Sequence, residues 1–376
     1  MMRWNREPTP KGRMTFLLLS ALITALYLGS CFCSVSYGYR TTSITGPTAQ
    51  SPQSFISQGN STPVQQNATS MGFGAVLQTA SYDNAMHNSP LIISADLKML
   101  ASTGIDSIRV DLDYDPWLFN NQAEISQMNS TIQSVRSAGL KLIIADAAAE
   151  SYRHGGQLPW DQFQSAWIKR VTTLASAYHP DYYIVIKEPG WYVDLVSDSR
   201  TNPQFQSTSS WLALTNRLAS AVLSVSPNTK VGISVAADSL GSNPQMYVPY
   251  LQGVEKIPAI SFIGFDIYSS SGMVSTAKFL SMLGSGGKSV WIAETWSTDG
   301  SAVYDSSRAQ TDATWIQEIC NFAHSQINAS MIIPFYTNDF SGYYSDGSIP
   351  SPSFFNSREP AYFAYKSIIQ SVGQGV

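Results

Sequence analysis

The sequence predicts an α/β fold, a (β/α)8 barrel of the TIM type, behind an N-terminal leader and a polar linker. Short runs of β-branched and aromatic residues alternate with segments whose apolar residues recur at helical spacing. This alternation continues for eight units within residues 71–376. Such a length fits a barrel of about 250 residues or more. An open doubly wound sheet is the main alternative, but it rarely needs eight units in strict alternation.

The predicted strands are short apolar runs, most of which end next to a polar residue: 72–77, 107–112, 140–145, 182–187, 230–235, 259–265, 289–294 and 331–335. The predicted helices repeat apolar residues every three or four positions: 90–103, 125–138, 160–178, 209–225, 247–254, 276–283, 310–327 and 359–372. Glycine and proline separate the two kinds of segment. Gly139 suits the end of one helix, and His179-Pro180 ends the next.

Two strands end on a glutamate, and this pair carries the functional prediction. Glu188 ends the fourth strand and Glu294 the seventh, at a separation of 294 − 188 = 106 positions. At about 35 residues a unit, that separation is three βα units, so both carboxylates would open into one pocket of the barrel.

Polar residues gather at the predicted carboxyl ends of the strands, where barrel enzymes keep their sites. They are Gln78, Arg109, Asp111, Asp113, Asp146, Glu188, Asp238, Asp266, Tyr268, Glu294, Tyr336, Asn338 and Asp339. Cleavage of a glycosidic bond needs one carboxyl group to protonate the leaving oxygen and a second to attack the sugar carbon or to activate water. Two glutamates at strand ends supply both groups.

These residues resemble the retaining glycoside hydrolases of the large (β/α)8 clan that includes cellulases, mannanases and galactanases, over roughly residues 72–369. In that clan the acid/base ends strand four, often before a proline, as in Glu188-Pro189. The nucleophile ends strand seven, as Glu294 does. The resemblance also implies that Arg109 and Tyr268 support the nucleophile.

Lys187 departs from the clan, which nearly always has asparagine immediately before the acid. An ammonium group there is expected to lower the pKa of Glu188 and so to oppose proton donation. Three explanations remain open: Lys187 points elsewhere, the substrate carries an anionic group, or the barrel has lost catalysis.

Other strand-end residues are predicted to bind substrate, because polar groups can hold sugar hydroxyls and aromatic faces can stack on pyranose rings. The predicted substrate-binding residues are Lys187, Trp191, Trp296, Tyr336, Asp266, Asp146 and Asn338, with further stacking candidates at Trp117, Tyr192, Tyr343 and Tyr344. Loop packing is expected to explain about half of the aromatic residues.

Composition favours a neutral, hydroxylated partner. Charged residues make up 13% of the chain, against a usual value of about 25%. A net charge of −4 argues against nucleic acid as the partner. We expect a carbohydrate substrate, no cofactor, no metal and a monomer.

Three alternative functions stay open. A barrel that binds glycan without cutting it is the first. A metal site at Asp111, Asp113 and Asp146 is the second, although no histidine has ligand spacing. A Schiff-base lyase that uses Lys187 is the third, and it would leave the two glutamates without a purpose.

The N-terminal residues 1–39 predict a signal peptide or a membrane anchor. Four basic residues precede an uncharged run from Met14 to about Tyr39 that is long enough to span a bilayer. Leu28-Gly-Ser-Cys31 resembles a bacterial lipoprotein cleavage site, in which Cys31 would carry the lipid. With either a cleaved or a retained leader, the rest of the chain is expected outside the cell.

Residues 40–70 predict a linker, since they are rich in Ser, Thr, Gln, Asn and Pro and nearly uncharged. Four tripeptides fit the N-glycosylation acceptor pattern, beginning at Asn60, Asn67, Asn129 and Asn328. Cys320 is the only cysteine after the leader, so no disulfide is expected within the barrel.

Overall fold

The structure is a computed structural model. It describes residues 71–81, 84, 88–112, 122–146, 159–189, 203–204, 207–283, 287–297, 305–342, 349 and 351–373. The predicted leader (1–39) and linker (40–70) lie outside these residues. Within the described part of the chain, no helix combines the length and the hydropathy that crossing a bilayer requires.

Eight parallel strands form a closed barrel in sequence order, and β1 pairs with β8 to close it. The strands are β1 Gly72–Val76, β2 Ser107–Leu112, β3 Lys141–Asp146, β4 Tyr182–Lys187, β5 Lys230–Ala236, β6 Phe262–Ile267, β7 Ser289–Thr295 and β8 Met331–Pro334. The predicted (β/α)8 barrel is therefore confirmed.

Helices follow the strands and surround the barrel. They are α1 Pro90–Ala101, α2 Gln122–Ser137, α3 Trp160–Tyr178, α4 Thr208–Val225, α5 Ala237–Ser242, α6 Pro244–Val254, α7 Ser270–Leu283, α8 Ala309–Ser325 and α9 Pro360–Gly373. The sequence did not predict α5, because six residues are too few to display helical periodicity. The other helices match predicted segments, with ends that differ by up to six residues.

Local signals set several helix ends. Ser89 caps α1, where its Oγ accepts a hydrogen bond from the Ile92 N–H and Pro90 occupies the first turn. At the end of α3, His179 adopts a left-handed conformation with φ +42°, and Pro180 follows. The chain then enters β4 directly.

Aromatic side chains fill the amino end of the barrel interior. The rings of Phe262 and Trp291 stack with their centroids 3.7 Å apart, and Tyr182 lies edge-on to Trp291 at 4.9 Å. Gly232 makes this possible, because a Cβ at that position would lie 2.3 Å from the Phe262 ring. Side chains therefore fill the interior at this end of the barrel, as is usual for the fold.

The pairing register shifts in β4 and in β7. In β4, Ile184 and Ile186 face consecutive residues of β5, so Val185 is an extra residue. In β7, Ile292 and Glu294 face consecutive residues of β6, so Ala293 is extra. Bulges of this kind bend a strand and re-aim its side chains. Both bulges lie within three residues of a glutamate of the predicted catalytic pair.

Candidate active site

Glu294 lies at the carboxyl end of β7 and is 2% exposed. The Arg109 guanidinium donates a hydrogen bond to its Oε1, and the Lys187 Nζ lies 2.7 Å from the same atom. The Tyr268 hydroxyl donates to Oε2 at 2.7 Å. Both oxygens of Glu294 are thus held by donors, and Oε1 faces two positive charges.

Arg109 is fully buried on β2 and connects three parts of the site. Its Nε and Nη2 donate to Asp111 at 2.6 and 2.7 Å. Its Nη1 donates to the carbonyl oxygen of Ala293, the extra residue of β7, at 2.6 Å. Arg109 therefore fixes both the Glu294 side chain and the backbone that presents it.

Asp111 is the second anion of this cluster, and the sequence predicted it only as a strand-end residue or a metal ligand. It is fully buried, and its N–H donates to the Ser81 Oγ at 3.0 Å. Burial raises the pKa of Asp111, but the charges of Arg109 and Lys187 outweigh burial and hold the pKa below its usual value. Asp111 is therefore ionised at neutral pH.

Glu188 follows β4 directly and adopts a left-handed backbone conformation with φ +50°. This conformation is uncommon outside glycine and often marks functional positions. The Glu188 N–H donates to the Ser234 carbonyl oxygen of β5 at 2.9 Å, which holds the turn in place. Burial and the nearby charge of Glu294 raise the pKa of Glu188 to about 7, against the opposing effects of Lys187 and Arg109.

Lys187 lowers the pKa of Glu188, as predicted, but other groups outweigh it. Its Nζ lies 3.0 Å from Asp111 Oδ2 and 2.7 Å from Glu294 Oε1, and 5.1 Å from the centre of the Phe335 ring. The ammonium does lower the pKa of Glu188, as expected, but burial and Glu294 are stronger, so the net shift is upward. The predicted direction of the Lys187 effect is therefore confirmed, but this effect does not decide the protonation of Glu188.

Asp266 brings a third carboxyl group beside the two glutamates. It pairs in register with Glu294 across β6 and β7, and the Ser234 hydroxyl donates to its Oδ2 at 2.8 Å. One carboxylate oxygen from each of Glu188, Asp266 and Glu294 lies within 4.8 Å of the other two. Burial and the charges of both glutamates raise the pKa of Asp266 well above its usual value.

Asp111, Glu188, Asp266 and Glu294 therefore lie in one cluster with two described cations, Arg109 and Lys187. Asp111 and Glu294 contact Arg109 and Lys187 directly. The described residues form no comparable ion pair with Glu188 or Asp266. The three clustered carboxyl groups are close enough to share a metal ion, and Arg109 and Lys187 would compete with such an ion for Glu294.

Ser234 is a site residue that the sequence analysis missed. It is fully buried in the middle of β5 and contacts both Glu188 and Asp266. Its signal was a single hydroxyl within the otherwise apolar run after Lys230. A lone serine in a buried strand is common, so this signal is weak without the tertiary structure.

Two predicted binding residues are occupied elsewhere. Asp146 is buried at the end of β3, where the Arg170 Nε of α3 donates to it at 3.0 Å and the Tyr183 hydroxyl at 3.1 Å. Trp296 is fully buried in the core, with its ring centroid 5.9 Å from that of Phe340. Neither side chain is brought to the carboxyl cluster.

Tyr336 and Asn338 follow β8. Tyr336 is partly buried, and its ring centroid lies 4.9 Å from that of Phe335, the residue beneath the Lys187 ammonium. Asn338 is fully buried in a 3₁₀ turn, and its Nδ2 donates to Asp339 at 3.0 Å. Tyr336 thus stays beside the site, whereas Asn338 takes part in the packing of the turn. The remaining candidates lie outside the described residues: Asp113, Trp117, Trp191, Tyr192, Tyr343 and Tyr344.

Comparison with solved structures finds the same barrel in several glycosidases. A β-glucosidase from Thermotoga maritima superposes with a TM-score of 0.55 at 11% identity, over 81% of this chain and 98% of the other. A fungal β-1,4-galactanase gives 0.53 at 13% identity, over 78% and 98%. GH10 from Paenibacillus barcinonensis gives 0.53 at 11% identity, over 80% and 95%. At such identities the likeness establishes the shared fold alone.

No protein-family model matches this sequence. No curated protein matches it either. We therefore infer the function from the geometry of the carboxyl cluster.

Proposed function

We propose that this chain is a glycoside hydrolase that cleaves β-glycosidic bonds by a retaining, double-displacement mechanism. The observation that carries the proposal is the Glu188–Glu294 pair, whose nearest carboxylate oxygens lie within 4.8 Å at the ends of β4 and β7. Retaining enzymes hold their two carboxyl groups about 5 to 5.5 Å apart, whereas inverting enzymes need about 6.5 to 9.5 Å to admit a water. The spacing in this site favours retention.

The two glutamates have the environments that the two roles require. Glu188, with its pKa raised to about 7, keeps a proton to give to the leaving oxygen. Glu294 has its oxygens fixed by Arg109, Lys187 and Tyr268. Such fixed donors hold a nucleophile in one orientation without reorganisation during the reaction.

In the first step, Glu294 attacks the sugar carbon while Glu188 transfers its proton to the departing oxygen. In the second, Glu188 takes a proton from water, and the resulting nucleophile displaces Glu294 from the sugar. Glu188 then carries its proton again, and the hydrolysis is balanced.

A panel of β-linked polysaccharides and aryl β-glycosides, incubated with the full chain, tests the proposal. Release of reducing ends is expected, and proton NMR of the first product should show the anomeric configuration of the substrate. An inverted first product would contradict the retaining mechanism. Glu188→Ala should regain activity on an aryl glycoside with a good leaving group when azide is added.

A glycan-binding barrel without activity would behave differently on the same panel. It would retain a polysaccharide in affinity electrophoresis and release no reducing ends. That outcome would refute hydrolysis.

We also propose that the barrel acts outside the cell, tethered through residues 1–39 or a lipid on Cys31, and that it is a monomer. Two features support this location: basic residues precede an apolar run in the leader, and residues 40–70 have a polar composition. Protease treatment of intact cells should remove the barrel. Protection of the barrel in intact but not in lysed cells would contradict an outside location.

A further inference from the structure

Ser234 contacts both of the residues whose carboxyl groups lack a directly bound cation among the described residues. Its carbonyl oxygen accepts from the Glu188 N–H at 2.9 Å, and its hydroxyl donates to Asp266 Oδ2 at 2.8 Å. Since Ser234 is fully buried in β5, both contacts are anchored to a rigid strand. Ser234 thus fixes the backbone of Glu188 and the side chain of Asp266.

The second oxygen of Asp266 is in a different situation. Asp266 is 1% exposed, and no N–H or O–H group of the described residues donates to its Oδ1. One carboxylate oxygen of Asp266 lies within 4.8 Å of an oxygen of Glu188 and of Glu294, and both glutamates offer only acceptors once Glu188 has given up its proton. A buried anionic oxygen among other acceptors is strongly unfavourable, whereas a protonated Oδ1 becomes a donor and removes the conflict.

We propose that Asp266 is a positioning residue that stays protonated and donates a hydrogen bond from Oδ1 to the carboxylate of Glu188. This inference rests on the proposed function, in which Glu188 is the acid/base. It assigns Asp266 to the control of the proton donor rather than to direct sugar binding.

The charged groups of the neighbouring strands favour a neutral Asp266 side chain. Glu188 of the β4 end and Glu294 of β7 oppose its ionisation, while Arg109 of β2 and Lys187 of β4 favour it. Both cations already contact Glu294 and Asp111.

The proton on Asp266 has a defined place in the reaction. When Glu188 gives its proton to the leaving oxygen, it becomes a buried anion that needs a donor. The Asp266 hydroxyl supplies that donor and keeps its own proton throughout. When Glu188 recovers a proton from water, Asp266 is unchanged, so the proton count balances over the cycle.

Infrared difference spectroscopy of the full chain tests the protonation of Asp266 without any substrate. At pH 8, where an ordinary aspartic acid is ionised, the Asp266→Asn variant should lose one protonated-carboxyl C=O band that the parent shows. The matched control is Asp146→Asn, because Asp146 is a buried aspartate paired with Arg170. This control should lose no such band.

The pH profile of kcat/KM for an aryl β-glycoside hydrolysed by the parent tests the hydrogen bond. Asparagine keeps a donor and the neutral charge, so Asp266→Asn should move the basic limb by less than about 0.3 unit. Asp266→Ala removes the donor and should move the limb upward by about one unit, because the Glu188 anion loses a stabilising hydrogen bond.

An unchanged carboxyl band in Asp266→Asn would overturn the proposal, whatever the activity of the parent. A downward shift of about one unit in the basic limb of the kcat/KM profile of Asp266→Asn would overturn it as well. Such a shift would show that an ionised Asp266 had been raising the pKa of Glu188. Tight binding of Mg²⁺ or Mn²⁺ that is lost in Asp266→Asn would overturn it too. A lost band in a parent that hydrolyses nothing would support the proton on Asp266 and refute the glycosidase.

Discussion

Asp146 and Asp266 are both buried aspartates near the carboxyl ends of barrel strands, yet their surroundings are opposite. Asp146 faces the helix layer, where Arg170 and Tyr183 donate to its two oxygens. Asp266 faces the carboxyl groups of Glu188 and Glu294, and the Ser234 hydroxyl donates to it. Burial at a strand end is thus common to a structural ion pair and to a reactive site.

The surroundings of Asp146 and the carboxyl cluster differ in their ratio of carboxyl groups to cations. Arg170 pairs with Asp146 and balances its charge. In the site, Arg109 and Lys187 compensate two of four carboxyl groups, so the other two carry raised pKa values. A surplus of buried carboxyl groups keeps exchangeable protons available at neutral pH, which acid catalysis requires.

The largest effect is expected from Glu294→Gln. The amide cannot form the covalent intermediate, so the rate of hydrolysis should fall by roughly 10⁴-fold or more while polysaccharide binding is retained. Initial rates and affinity electrophoresis measure the two properties. Glu318→Gln, an exposed change on α8, serves as the control and should keep the parental rate. Parental activity in Glu294→Gln would remove the nucleophile from the proposal.

Asp146→Asn should cost stability rather than catalysis. Loss of the anion removes the Asp146 partner of the buried Arg170, so the free energy of unfolding should fall by about 3 kcal/mol in urea titrations. The pH profile of kcat/KM should keep its shape. A raised KM with unchanged stability would instead support the sequence-based assignment of Asp146 to substrate binding.

Glu188→Gln should stabilise the protein at alkaline pH while it reduces activity. The pKa of Glu188 is raised from 4.5 to about 7, so the folded chain binds this proton more tightly than the unfolded chain does. The parent should therefore lose stability as pH rises from about 4.5 to 7, and the glutamine variant should lose less because it lacks this proton site. We expect a difference of about 1 to 3 kcal/mol at pH 8, reduced because Glu188 is partly exposed.

Urea unfolding at pH 5 and pH 8 measures this difference. An equal loss of stability in both proteins between the two pH values would show that Glu188 titrates normally in the folded state.

The smallest effect concerns Lys187. In the parent, kcat/KM should fall as pH rises through about 7, because Glu188 must be protonated to act as the acid. Lys187→Met removes a cation that lowers the pKa of Glu188, so the basic limb should move upward by about half a unit to one unit. Lys169→Met, at an exposed position of α3, should leave the limb in place. A downward shift in Lys187→Met would contradict the arrangement of charges described above.

Strand positions and the ends that carry the two glutamates could be predicted from local patterns. The predicted run 107–112 coincides with β2, and the start of every strand except β3 and β6 was predicted to the residue. β6 begins at Phe262, three residues after the predicted start. Apolar residues lie both before and after this start, so the pattern of apolar residues does not mark where the strand begins. The bulges at Val185 and Ala293 have no sequence signature either.

The sequence by itself determined the eight alternating units and, through them, which residues stand at the strand ends. The spacing of apolar residues and the choice of turn residues are local properties, so each segment of the sequence predicts its own secondary structure. Only the tertiary structure decided which of the strand-end acids face one another and which of them hold a proton. Those properties depend on through-space distances, such as the contact of Arg109 with Glu294 across 185 positions, and on burial that no single segment encodes.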